Sequence, residues 1–156
     1  MKLYTLATAS SAVSLVEAIL DDIRSLETES RSLLDRKRAL LGNLLSSQTD
    51  MSVVEEELAW ARQDAARLRE ELQSLGVEIA DIVRGRMFFY SWRDNRPVKL
   101  CWQVGESSVS HWCELTRNFS DRIPVLTAER DQFLDVAPDF PPWRDVIANG
   151  SSRLPK

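Results

Sequence analysis

From Met51 to Leu75 the apolar residues fall at positions 51, 54, 58, 61, 65, 68, 72 and 75, in steps of three and four with no polar break. Only an α-helix lying lengthwise against another helix buries such a seam, because no other backbone period brings those positions to one side. Gly76 follows at once and suits the left-handed residue that ends a helix. The stripe is structural in kind and has none of the features of a cofactor box.

The partner helix lies upstream. Thr5 reads as an N-cap, with Leu6, Ala9, Val13, Val16 and Leu20 along one face behind it. Val16, Ile19, Ile23, Leu26, Leu33, Leu40 and Leu44 continue at 3/4 spacing to about residue 46, interrupted by Ser30 and Lys37, with Gly42 fraying the last turns. "SSQTD" supplies the turn, and Ser52 with Glu55 has the spacing of a capping box. So short a connection makes the helices antiparallel neighbours, a hairpin over residues 1–76. The first helix is the longer, so its opening turns overhang the second and need another apolar partner.

After residue 86 the period changes from helical to alternating. "RMFFYSW", "PVKLCWQV" and "VSHWCEL" are aromatic or β-branched runs separated by "RDN" and "GESS". Asp94-Asn95 suits a two-residue hairpin turn with positive φ. The pattern predicts an α+β fold: a long antiparallel, coiled-coil-like helical hairpin followed by a small three-stranded antiparallel sheet. The sheet occupies 77–125, packed on the start of helix one within the same domain. Residues 126–156 read as an extended C-terminal segment. "LTAERDQFLDV" is a short helical piece in it, Trp143 an apolar anchor and "ANGSSRLPK" a mobile tail.

A chain of 156 residues with 44% hydrophobic and 28% charged side chains is large enough for one core. Its net charge of −4 speaks against nucleic acid as a partner. No apolar stretch approaches the ~20 residues that span a bilayer, so no membrane partner is expected. The opening "MKLYTLATASSAVSLVEAIL" is broken by Thr5, Thr8, Ser10, Ser11 and Ser14, which suits a helix start better than a secretory leader. A cytoplasmic protein with reduced thiols is expected.

The densest chemistry lies in "LCWQVGESSVSHWCEL" (100–115), which holds both cysteines, the only histidine and two of the five tryptophans. Loops at 94–95 and 105–108 place Phe89 opposite Leu100, Leu100 opposite Cys113, and Val104 opposite Val109. Strand alternation then puts Cys101 and Glu114 on one face and His111 and Cys113 on the other. So placed, the cysteines share neither a disulfide nor a metal ion. There is no CxxC, HExxH or Asp-rich loop, and the five glycines stand singly, so no metal, cofactor or phosphate loop is expected. Any site would draw on Cys101, Glu106, His111, Cys113, Glu114 and Arg122. Arg36, Lys37 and Arg38 read as a solvated helix face.

"LYTLATASSAVSLVEAI", the charged heptads, Gly76, "LCWQVGE", "HWCEL" and "FSDRIP" resemble an uncharacterised bacterial family, domain of unknown function 2203. The resemblance covers residues 3–125 and implies coiled-coil helices leading into a compact C-terminal segment. Its pattern has aspartate where this chain has Phe88, and histidine where it has Cys113. The two positions best equipped for chemistry are the two altered, which implies a non-catalytic member, although Cys113 keeps the capacity to act as a soft ligand.

Leu34, Leu41 and Leu45 lie beside the seam of helix one, more apolar surface than a lone hairpin uses. The expected function is therefore a non-enzymatic cytosolic interaction or scaffolding protein. Its hairpin would pair with itself as a homo-oligomer or with a partner helix. The alternative is a small metal- or thiol-dependent enzyme with its site around the strand ends, 101–122. The sequence names no small-molecule ligand.

Overall fold

The computed structural model describes residues 2–43, 45 and 47–137. Leu44, Trp143 and the expected tail lie outside the described residues. The chain divides into two compact units. One is formed by residues up to 16 together with those from 73 onward, the other by residues 17–72.

The chain's two helices are α1 (Leu6–Leu41) and α2 (Gln48–Ser74), and the helical unit is their stretch between residues 17 and 72. Val54, Leu58, Ala61, Ala65, Leu68 and Leu72 are all buried, as the seam predicts. Leu33 joins Val54, Leu58 and Ala61 in one cluster, with Leu26, Leu34 and Leu40 half-buried against it. Ion pairs Glu27–Arg69 at 2.7 Å, Lys37–Glu55 at 3.5 Å and Arg36–Glu57 at 3.6 Å cross between the helices. Their numbers rise on α1 as they fall on α2, which is the antiparallel arrangement. All lie at the surface, so they define the register more than they stabilise it.

Two helix ends differ from expectation. α1 stops at Leu41, where Gly42 has no side chain to hold the turn. α2 starts before the expected capping box because the Ser47 hydroxyl already accepts the Asp50 amide at 3.1 Å. Ser52 consequently sits inside the helix, where it donates back to the Gln48 carbonyl at 2.9 Å.

The second unit is a sheet of five strands in chain order, all antiparallel: β1 (Val77–Asp81), β2 (Arg86–Arg93), β3 (Arg96–Gln103), β4 (His111–Glu114) and β5 (Ile123–Pro124). The α+β architecture follows the sequence pattern, with two strands more than the three read from it. β1 is short and carries little apolar alternation, and β5 has two residues, one a proline, so neither shows a period.

The Thr8 amide donates to the Thr5 hydroxyl at 3.1 Å, so Thr5 caps α1 as expected. Tyr4 meets Phe89 edge-on at 5.1 Å, and its hydroxyl donates to the Leu75 carbonyl. Around Phe89, the side chains of Val98, Leu100 and Trp102 are fully buried. Trp92 and Leu134 exchange backbone hydrogen bonds of 3.0 and 2.8 Å, which fixes the segment after Pro124 beside β2. The piece expected to be helical there is a 3-10 turn, Thr127–Gln132.

Candidate functional site: a buried dithiol

The site is decided by strand register. Asp94 and Asn95 both take positive φ, 51° and 59°, and close a two-residue turn whose twist matches its strands. Phe89 therefore pairs with Leu100, as predicted. The next hairpin does not follow the prediction. Leu100 pairs with Trp112 instead of Cys113, Lys99 with Cys113 and Cys101 with His111.

The cause is the path of the connection. β3 ends at Gln103, and Val104 does not pair with Val109. The Val104 amide donates to the Gly85 carbonyl at 2.9 Å, and the Val109 amide donates to the Ser10 hydroxyl at 3.1 Å. A ladder extended through this loop comes out one residue wrong, and one residue moves every β4 side chain to the other face.

The expectation that the cysteines face opposite ways is therefore overturned. Cys101 and Cys113 share a face, are fully buried, and bring their sulfurs to 3.4 Å. Phe88 and Phe119 complete the cluster around them. Phe119 arrives on a 3-10 turn, Phe119–Asp121, between β4 and β5.

Lysine 99, directly opposite Cys113, was not among the residues the sequence singled out. It is only 9% exposed. Its ammonium donates to the Arg117 carbonyl at 2.8 Å and lies 4.1 Å from the centre of the Phe88 ring. Among the described residues no carboxylate forms an ion pair with it. The available signal was a lysine in an otherwise apolar run, "VKLCW".

The other predicted candidates disperse. Glu106 accepts the Gln103 amide at 3.0 Å and pairs with Arg122 at 2.6 Å. Arg122 and Arg86 lie over the Phe119 ring at 4.7 and 4.9 Å. Glu114 pairs with Arg96. His111 is opposite Cys101 in register, but a ring nitrogen is 3.0 Å from the Ser110 hydroxyl. Trp102 and Trp112 are both buried and serve as core.

The thiols are electrostatically unequal. The hydrogen bond to the Cys113 sulfur, together with burial, pushes the Cys101 thiol up. The same hydrogen bond, with the positive charge of Lys99, holds the Cys113 thiol below its ordinary value. Cys113 is the thiol that faces Lys99 directly across the ladder. Among the described residues no three His, Cys, Asp or Glu side chains converge as a metal site.

The family model described as "Uncharacterized conserved protein (DUF2203)" matches residues 2–125. The chain belongs to the DUF2203 family. The match takes in both helices, the whole sheet and the dithiol, and it brings no assigned chemistry with it. No curated protein and no solved structure matches the chain.

Proposed function

We propose that this DUF2203 protein is a non-catalytic cytosolic scaffold whose helical hairpin pairs with a second copy. The observation that carries this reading is a set of exposed apolar side chains on both helices near the connection between α1 and α2. Val53 and Trp60 are seven residues apart and so recur on one face of α2, and Leu41 stands in the last turn of α1. Leu41 is 70% exposed, Val53 45% and Trp60 62%. A groove of about 300 Å³ between Leu40 and Val53 is bordered by Arg36 and Asp50, so it carries both signs of charge. A surface apolar at its centre and mixed in charge at its rim suits a copy of itself, as in an antiparallel four-helix bundle.

Among the described residues no helix is long and apolar enough to cross a membrane. Sedimentation and light scattering at high micromolar concentration test the proposal. A dimer is expected, and the double substitution Leu41→Glu, Trp60→Glu should convert it to a monomer. A strict monomer in the unaltered protein overturns the reading.

A further inference from the structure

We propose that Cys101 and Cys113 form a redox-active dithiol, which a hydroperoxide converts into a disulfide joining β3 to β4. This inference concerns the sheet unit and does not depend on the hairpin proposal.

The geometry supplies the first argument. The sulfurs stand 3.4 Å apart and a disulfide needs about 2.05 Å; the cysteines are diagonal neighbours across the ladder, so closure turns both side chains and draws β3 and β4 together there. The chain has no other cysteine, so the nearest partner for either sulfur is always the other. The second argument is the buried lysine. An ammonium that forms no ion pair with a described carboxylate, directly across the ladder from Cys113, supplies the counter-charge that a thiolate at that sulfur requires. Other charges near the pair are Arg122 and Asp121 on the covering turn and Glu114 on β4.

Burial selects the oxidant. Both sulfurs are sealed under Phe119, which excludes a bulky disulfide reagent from the direct attack that thiol exchange requires. A hydroperoxide is close to water in size and reaches the pair when the Phe119–Asp121 turn opens.

The chemistry balances with the peroxide as the single oxidant. The Cys113 thiolate attacks one peroxide oxygen; an S–O bond forms, the O–O bond breaks, and the leaving hydroxide takes a proton to become water. The Cys101 sulfur then attacks the Cys113 sulfur of the sulfenic acid. The S–S bond forms, the S–O bond breaks, and the departing hydroxide leaves as water with the Cys101 proton. Two thiols lose two electrons, and one hydrogen peroxide becomes two waters.

Hydrogen peroxide titrated into the folded full chain tests this, with intact mass and peptide mapping under non-reducing conditions. The expected product has lost two hydrogens, carries a Cys101–Cys113 link and returns to the starting mass with dithiothreitol. Cys101→Ser should stop at a sulfenic acid on Cys113, captured by dimedone. Cys113→Ser should react about tenfold more slowly or less. Lys99→Met should slow oxidation of the unaltered pair and move its pH profile upward, with Lys99→Arg restoring it. If the folded protein keeps both thiols under conditions that oxidise the unfolded chain, or forms only links between chains, the proposal is overturned. An unchanged pH profile in Lys99→Met removes Lys99 from the mechanism.

Discussion

Gly76 has no room for a side chain. Its φ of 76° is left-handed, and an added Cβ would lie 2.9 Å from the Lys2 carbonyl oxygen. Gly76→Ala should therefore cost more than the roughly 1–2 kcal/mol of a left-handed conformation alone, read as a lowered midpoint in urea unfolding. Tyr4 makes a second prediction at this scale. Burial raises its phenol above the ordinary 10.0, and Tyr90 is raised too, by burial and by its hydrogen bond to Glu78. A raised acid favours the folded state while protonated, so that stability is complete below pH 10 and is lost as the pH rises further. Tyr4→Phe should lose about 1 kcal/mol at neutral pH with the Leu75 hydrogen bond. It should also lose less than the unaltered protein in alkaline melts, and a parallel alkaline profile would show that Tyr4 does not carry the effect.

At the scale of elements, α2 illustrates how a regular period becomes packing. Leu58 is buried at the centre of the cluster with Leu33, Val54 and Ala61. Leu58→Ala should cost about 2–5 kcal/mol, the usual price of a core leucine, measured by thermal or urea unfolding. The segment after β5 depends on a different kind of anchor. Arg93, on β2, is buried with its guanidinium 4.5 Å from the centre of the Trp112 ring and 5.0 Å from that of Phe133. It also donates to Glu129 at 3.1 Å and Gln132 at 3.0 Å. A planar group is needed to stack and fork at once, so Arg93→Lys is not conservative. Arg93→Lys should speed amide hydrogen exchange in residues 126–134 while leaving α2 unchanged, and uniform exchange across the chain would contradict this anchoring.

At the scale of the whole molecule, the four described tryptophans divide sharply: Trp92, Trp102 and Trp112 are buried, whereas Trp60 is largely exposed. If the hairpin pairs as proposed, the fluorescence lost on Trp60→Phe should shift to shorter wavelength as protein concentration rises, and a constant red emission would speak against burial there. Much of this molecule was legible in its residues because the deciding interactions are local. The seam from Val54 to Leu72 follows from the 3.6-residue turn, and the pairing of Phe89 with Leu100 follows from a two-residue turn that Asp94 and Asn95 tolerate. β1 and β5 were not legible, being too short to show alternation. The candidate site was legible only as a list of residues. Which face Cys113 takes depends on the path from Val104 to Ser110, and that path is set by hydrogen bonds to Gly85 and Ser10, distant in the chain. The sequence by itself determined the helices, the β2–β3 hairpin and the presence of two thiols. The tertiary structure alone decided that the thiols meet, because a strand's register is fixed by what its loop is tied to.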